Sequence, residues 1–200
     1  MLPPVNRAAW ASDDVTRGTT TAVVAMAVTT PDARSVEFTI RPMATTDLAT
    51  VLAINEANVP EVSSISTAQL EFLVEESACS LVVDVDGTVA GFCIVLGAGS
   101  AYDSVNYRWF MDRYTDAMYL DRVAFTEEFR GRGLGTALYD EVHEFVRRVP
   151  GMNRWTLEVN ADPPNLPSLA FHRARGFVEV GQQHTPYGIT VSLMERVVEQ

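Results

Sequence analysis

The sequence has few of the residues that build metal sites, disulfide frameworks or membrane spans. Its 200 residues include only two cysteines and three histidines, without the clustered spacing of metal ligands. Cys79 and Cys93 lie beside or within apolar runs, which predicts buried, reduced thiols. The longest apolar run near the start, 22–28, has seven residues, whereas a membrane-spanning helix needs ~20. The first four residues lack the basic region of a secretory signal. We therefore expect a cytoplasmic protein that has no metal and does not enter a membrane.

Basic residues are also scarce. Lysine and arginine number 15 against 26 acidic residues, which gives a net charge of −11. Nucleic acid is therefore excluded as a partner, because binding its phosphates requires a basic surface. The same acidity could attract a cationic amine, or it could serve only to keep the protein soluble.

Hydrophobic periodicity predicts one α/β domain over residues 36–200. Residues 1–35 show little periodicity, and we expect them to form a flexible tail or an extra segment outside the fold. Asp86-Gly87 is a strong signal for an antiparallel hairpin. Strands are predicted at 36–40, 81–85, 89–96, 118–125, 155–159, 177–181 and 189–197, and helices at 48–55, 68–77, 133–149 and 165–175.

Residues 97–117 form a long connection rich in aromatic side chains. Connections of this length are usually functional or disordered, and the aromatic content argues against disorder. The segment is expected to cover a substrate pocket. An equally weighted alternative is that its aromatic residues only attach a surface loop to the core.

A glycine-rich turn at 129–138 joins a predicted strand to a predicted helix. Gly131, Gly133 and Gly135 alternate along it, so successive backbone N–H groups can point into one concavity that suits a phosphate. The concavity lies at the positive end of the helix dipole. We interpret the turn as a diphosphate site, and the alternative is a helix entry without a ligand.

The residues around these glycines exclude two familiar phosphate motifs. Neither the G-x-x-x-x-G-K-[ST] loop nor the G-x-G-x-x-G dinucleotide fingerprint fits. Arg130 and Arg132 supply guanidinium donors at the rim of the turn. Such local positive charge has to outweigh the acidic surroundings if an anion is to bind.

The turn resembles the motif Q/R-x-x-G-x-G/A of the GNAT superfamily of N-acetyltransferases, with Arg130, Gly133 and Gly135 at its fixed positions. A second resemblance follows at 157–160, 165–168 and 171–177, where the family has a strand, an asparagine and a helix ending in Gly-Phe. The resemblance covers about residues 36–198. It implies a mixed α/β fold with a mostly antiparallel central sheet of about seven strands flanked by about four helices.

This resemblance implies an acyltransferase that moves an acetyl group from acetyl-CoA to a primary amine of a small molecule or peptide by direct attack. The turn would hold the diphosphate, and the pantetheine arm would lie as an added strand beside β-strand residues 123–125. A backbone N–H near Val123 would polarise the thioester carbonyl. The residues assigned to coenzyme binding are Val123, Ala124, Phe125, Arg130, Gly131, Arg132, Gly133, Leu134, Gly135, Thr136, Asn165, Ser168 and His172.

The chain departs from the family at the proton donor, because His172 stands where the family commonly has a tyrosine that protonates the departing thiolate. Histidine can donate a proton near neutral pH. A solvent-facing histidine on an amphipathic helix is the simpler interpretation. If His172 is not the acid, the chain could be a non-catalytic, coenzyme-A-binding regulatory module.

The proton acceptor is left open among Asp121, Glu158 and Tyr119, with direct deprotonation by solvent as a further option. Strand alternation predicts that Tyr119, Asp121 and Val123 share one face. It also predicts that Arg122 points away from Asp121, which makes a donor such as succinyl-CoA less favoured. The sequence identifies neither the amine nor the oligomeric state, with a homodimer as one option.

Overall fold

A computed structural model describes residues 24–28 and 36–199 of the chain. The described part forms one sheet of eight strands, in the order β1-β2-β3-β4-β5-β6-β8-β7. The strands are β1 (Val24–Val28), β2 (Val36–Pro42), β3 (Ser77–Val85), β4 (Thr88–Leu96), β5 (Ala117–Phe125), β6 (Arg154–Asp162), β7 (Val178–His184) and β8 (Thr190–Val197). The helices are α1 (Leu48–Ala57), α2 (Thr67–Glu76), α3 (Val105–Met111), α4 (Leu134–Arg148) and α5 (Leu166–Ala174).

The strand pairing confirms the predicted class of fold. Every neighbouring pair in the sheet is antiparallel except β5 and β6, which are parallel. The described chain has one strand and one helix more than the sequence predicted. These are β1 and α3.

Strand β1 lies within the segment that was expected to remain outside the fold. It pairs with β2 from Val24 opposite Ile40 to Val28 opposite Val36, and so extends the edge of the sheet. The other residues before 36 lie outside the described part, and the domain boundary at 36 stays a prediction.

Local signals place several elements where the sequence predicted them. Asp86 and Gly87 take φ values of 52° and 80°, the left-handed pair that a tight hairpin turn requires. The Asp84 carboxylate accepts a 2.7 Å hydrogen bond from the Gly87 N–H. After α5, Gly176 has a φ of 84°, which fits its predicted position just beyond the helix.

Helices cover both faces of the sheet and bury two apolar clusters. Helices α4 and α5 cover one face, where the predicted stripe of α4 is buried. Helices α1, α2 and α3 cover the other face. None of the helices in the described chain is long and apolar enough to cross a membrane.

Both cysteines lie in the cluster beneath α4 and α5. Cys79 and Cys93 are buried and form no disulfide, as predicted. Burial raises the pKa of the Cys93 thiol to about 12, so this side chain acts as a small apolar group at neutral pH.

Helix α3 gives the predicted connection at 97–117 a fixed place on the sheet. The Ser104 side chain caps it by accepting a hydrogen bond from the Asn106 N–H. Tyr107 and Phe110 are buried and contact Tyr119 of β5, with ring centroids 5.5 and 5.9 Å away. The aromatic residues therefore anchor the segment to the core.

The sheet separates in its middle, between β5 and β6. The two strands pair only over 117–119 and 154–156. Beyond that point β5 remains paired with β4, and β6 remains paired with β8. The result is a cleft between residues 120–125 and residues 157–162.

A β-bulge lies in β5 at the start of this cleft. Leu120 is opposite Val95 and Arg122 is opposite Ile94, so Asp121 is an extra residue without a partner on β4. An inserted residue bends the strand and exchanges the faces of the residues that follow.

Candidate active site

The separated strands open into a cavity of about 400 Å³. Its walls come from β5 and β6, the loop after α1, the segment that leads into α3, helix α5 and the β7–β8 hairpin. The structure thus brings together residues that are far apart in the sequence. The predicted site residues that line the cavity are Asp121, Val123, Glu158, Asn165, Ser168 and His172.

Glu158 is the cavity carboxylate whose titration suits proton transfer. Its Oε2 accepts a 2.5 Å hydrogen bond from the Tyr119 hydroxyl, and its Oε1 accepts a 3.0 Å bond from Asn106 Nδ2. Burial raises the pKa of Glu158 to about 7, and the negative charge of Asp121 adds to this effect. The hydrogen bonds from Tyr119 and Asn106 act in the opposite direction. A carboxyl that titrates near neutral pH is suited to accept a proton.

Tyr119 is hydrogen-bonded to Glu158 but does not line the cavity. Its side chain is fully buried, and its hydroxyl donates to Glu158. Burial and the charge of Glu158 raise the pKa of Tyr119 well above its usual value. Tyr119 therefore remains protonated at neutral pH, and the geometry disfavours it as the base.

Asp121 is engaged by its neighbour, contrary to the expectation from strand alternation. Arg122 Nε donates to Asp121 Oδ2 over 2.7 Å, and both side chains are 3% exposed. The expectation that Arg122 points away from Asp121 was wrong. Since Asp121 already pairs with a cation, Glu158 is the better placed of the two carboxylates to take a proton.

The bulge also overturns the prediction that Tyr119 and Val123 share a face. Tyr119 packs in the cluster beneath α1, α2 and α3, whereas Val123 packs against the opposite cluster. The extra residue at Asp121 shifts the alternation between them. Val123 lines the cavity, and the role of its backbone N–H stays a prediction.

His172 is buried, so the solvent-facing alternative is wrong. The residue is 4% exposed, and its Nδ1 lies 2.7 Å from the Ser168 carbonyl oxygen. A carbonyl only accepts, so Nδ1 carries the proton and Nε2 accepts from the Tyr139 hydroxyl 2.7 Å away. Burial lowers the pKa of His172 to about 4. A neutral ring with both nitrogens engaged disfavours the predicted role as acid.

The glycine-rich turn has the backbone geometry of an anion site. Gly131 and Gly133 take φ values of 71° and 81°, and Gly133 is the N-cap of α4. The first backbone bond of the helix runs from the Ala137 N–H to the Gly133 carbonyl, and no side chain of the described residues caps the helix start. In the described chain, the N–H groups of 134–136 thus have no acceptor within the helix. They suit an anion such as a diphosphate.

Asn58 connects this turn to the cavity. Its Oδ1 accepts a short hydrogen bond from Arg130, and its Nδ2 donates to the Phe125 carbonyl over 3.1 Å. Asn58 also lines the cavity. The turn lies at the carboxyl end of β5, and Arg132 extends over the Phe129 ring at its surface.

The remaining predicted coenzyme residues near the turn have packing contacts of their own. The Ala124 side chain packs beneath α1, α2 and α3. Phe125 packs closely on Gly91 and lies 3.7 Å from where a β-carbon of Gly135 would be. At that distance a β-carbon would make an ordinary van der Waals contact, so packing on Phe125 does not itself require glycine at 135.

Part of the acceptor side around Glu158 comes from the segment 97–117, which the sequence predicted to cover a substrate pocket, since Tyr102 and Asn106 of this segment line the cavity. Asn106 is 1% exposed, donates to Glu158 and accepts a 2.8 Å bond from Gln183. Tyr102 and Tyr187 complete this side of the cavity. The contact of Asn106 with Glu158 and the place of Tyr187 in the wall follow no local motif, so only the folded structure reveals them.

Comparison with known proteins is consistent with this geometry. A family model described as the acetyltransferase (GNAT) family matches residues 48–177. No curated protein matches the sequence at a significant level.

Three solved structures show the same fold. Ard1 from Thermoplasma volcanium is 22% identical, covers 82% of this chain and 99% of its own, and gives a TM-score of 0.67. The putative acetyltransferase yncA from Salmonella typhimurium, solved with its cofactor acetyl-CoA, is 20% identical with a TM-score of 0.62, covering 82% and 95%. NAA60 from Arabidopsis thaliana, in complex with a bisubstrate analogue, is 20% identical with a TM-score of 0.63, covering 80% and 97%.

Proposed function

The chain belongs to the GNAT family of acetyltransferases, and from this we propose that it transfers an acetyl group from acetyl-CoA to a primary amine. The observation that carries the proposal is the cleft between β5 and β6, which has Glu158 in its wall and the glycine-rich turn at the end of β5. The cytoplasmic location and a homodimer stay predictions.

Several features of the chain fit acetyl-CoA as the donor. The N–H groups at the start of α4 suit its diphosphate, and Arg130 and Arg132 add local positive charge to an acidic protein. The facing edges of β5 and β6 are unpaired beyond 119 and 156, so they can bond the amides of the pantetheine arm. A solved relative of the same fold contains acetyl-CoA.

In the proposed reaction, Glu158 removes a proton from the amine, directly or through water. The neutral amine nitrogen then bonds to the carbonyl carbon, the carbon–sulfur bond breaks as the thiolate leaves, and the nitrogen gives up its second proton to solvent to become the amide nitrogen. The backbone N–H near Val123 polarises the carbonyl oxygen. Because the Nδ1 proton of His172 is donated to Ser168, we assign the thiolate's proton to solvent rather than to His172.

Two glycine variants test the binding of the donor. Gly131 and Gly151 both have positive φ, and a β-carbon at either position would meet no atom within 4 Å. Glutamate at the two positions therefore imposes similar backbone strain, but only at 131 does it place a carboxylate in the turn. Acetyl-CoA at ~100 times its dissociation constant should stabilise the wild type and Gly151→Glu by about 2.7 kcal/mol in thermal unfolding. Gly131→Glu should not be stabilised by acetyl-CoA. Equal stabilisation of both variants would show that the turn is not part of the binding site.

A second function is a regulatory module that binds coenzyme A without catalysis. It is favoured by one observation, that both ring nitrogens of His172 are already engaged. Stabilisation by acetyl-CoA without release of coenzyme A across a broad panel of amines would select this second function.

A further inference from the structure

We propose that the cavity selects primary amines with no carboxylate beside the amine, and that it rejects free amino acids. Suitable acceptors are simple amines, amino-acid amides and peptide N-termini, which share an uncharged neighbourhood at the nitrogen. This inference rests on the proposed function and adds the chemistry of the acceptor.

The ionisable groups that line the cavity are mostly acidic. Glu61, Asp121 and Glu158 are carboxylates, whereas the basic lining residues are Arg122 and His172. Burial lowers the pKa of His172 to about 4, which leaves its ring uncharged at neutral pH. Among the described residues that line the cavity, Arg122 is therefore the one cation that could receive a carboxylate from the acceptor.

Arg122 already donates hydrogen bonds to several protein groups. Its Nε donates to Asp121 over 2.7 Å, and its Nη1 donates to Asn55 over 2.9 Å. Longer contacts of 3.4 and 3.5 Å join the guanidinium to the carbonyl and hydroxyl of Ser63. The residue is 4% exposed. A substrate carboxylate would have to compete with these partners for a guanidinium that is almost fully buried.

Asn106, the neutral donor beside Glu158, is engaged as well. Asn106 Nδ2 donates to Glu158 and also lies 3.5 Å from the Tyr187 hydroxyl. Burial raises the pKa of Tyr102 and of Tyr187, and the nearby charges of Asp121 and Glu158 add to both effects. The acceptor side therefore has a negative potential with aromatic walls, which attracts an ammonium group.

A carboxylate beside the amine would have to enter this potential. When the nitrogen is close enough to Glu158 to transfer a proton, a carboxylate one carbon away lies ~5 Å from the Glu158 oxygens. Repulsion between like charges at this distance, at the effective dielectric of a protein site, corresponds to a factor on the order of 100 in kcat/KM.

The test compares three compounds that share one skeleton. Phenylalanine, phenylalaninamide and 2-phenylethylamine are assayed as acceptors by release of the coenzyme A thiol, and the alanine series is assayed in parallel. We expect kcat/KM for both carboxylate-free compounds to exceed that of the amino acid on the order of 100-fold. The phenylethylamine nitrogen is more basic than that of phenylalanine, so a preference for it cannot arise from easier deprotonation. A neutral tetrapeptide in the same assay separates a peptide source from a small amine.

Two charge variants show whether the cavity itself is the cause. Glu61 and Glu71 are both exposed, but only Glu61 lines the cavity. Glu61→Lys and Glu71→Lys raise the net charge equally. Glu61→Lys should lower the ratio of kcat/KM for the amide to kcat/KM for the amino acid at least threefold. Glu71→Lys should leave this ratio unchanged.

Each other outcome counts against the inference. Equal kcat/KM for acids and carboxylate-free amines, or an equal response of the two lysine variants, would overturn it while leaving the acetyltransferase function intact. Absence of coenzyme A release with every acceptor would overturn the proposed function, and this inference with it.

Discussion

Replacing Glu158 by glutamine should make the protein more stable above pH 7. The pKa of Glu158 is about 7 in the folded protein against an ordinary value of 4.5. Folding therefore takes up a proton between these values, and the free energy of unfolding falls as the pH rises from 4.5 to 7. Since the side chain also meets water in the cavity, the loss is at most about 3 kcal/mol. Glutamine does not ionise, so the variant avoids this loss of stability. Its side-chain oxygen accepts from only one of the donors Tyr119 and Asn106, and the unpaired donor costs about 1 kcal/mol. The net gain at pH 8.5 is about 2 kcal/mol.

The same substitution should greatly reduce activity. Loss of a general base typically lowers kcat by ~10²–10⁴. In the wild type, kcat/KM should rise tenfold per pH unit up to pH about 7, where Glu158 becomes ionised, and then level off. The glutamine variant should lack this inflection, because no group titrates at position 158.

Two measurements check this reasoning together. Urea unfolding of the wild type and Glu158→Gln at pH 4.5 and pH 8.5 gives the difference in stability, and thiol release between pH 5.5 and 9 gives the activity profile. Glu71→Gln, an exposed carboxylate outside the cavity, is the matched control. A Glu158→Gln variant with near-normal kcat/KM and an unchanged inflection would refute Glu158 as the base. Equal stability differences at both pH values would refute the raised pKa.

Three further substitutions probe the groups around the site. Asn106→Ala removes a hydrogen-bond donor from Glu158, so the inflection in the pH profile of kcat/KM should move up by as much as ~1 pH unit. An unchanged inflection would show that this hydrogen bond does not lower the pKa of Glu158. Arg122→Leu leaves Asp121 buried without its cation and should lower the free energy of unfolding by about 3–5 kcal/mol in urea, whereas a loss under 1 kcal/mol would contradict the buried pair. Gly133→Ala adds a β-carbon at a φ of 81°, which should cost about 1 kcal/mol in thermal unfolding, and no loss would argue against the left-handed turn.

The elements that the sequence predicted well are governed by local rules. The stripe of α4 repeats with helical period, and the glycines of the turn are needed for left-handed backbone at 131 and 133. Asp86-Gly87 sets a hairpin by the same conformational rule. Each of these signals lies within a few residues, so no tertiary information was needed to interpret it.

The elements that were missed depend on contacts between distant parts of the chain. The bulge at Asp121 is defined by the register with β4, and it reversed the predicted relation of Arg122 to Asp121. Helix α3 has only seven residues, too few for a periodic pattern, and packing against Tyr119 holds it in place. The hydrogen bond from Asn106 to Glu158 spans 52 positions in the sequence.

The short pairing of β5 with β6 also has a mechanical consequence. Strands β1 to β5 and strands β6 to β8 form two halves of one sheet, joined directly by three residue pairs. Within the described chain, the main-chain pairing between the two halves is confined to this short stretch, so the facing edges beyond it have no strand partner. A pantetheine arm that bonds to both edges would add main-chain hydrogen bonds across the cleft. Backbone amide exchange at 120–125 and 157–160 should then slow together when acetyl-CoA binds, so the occupied enzyme would be the stiffer one.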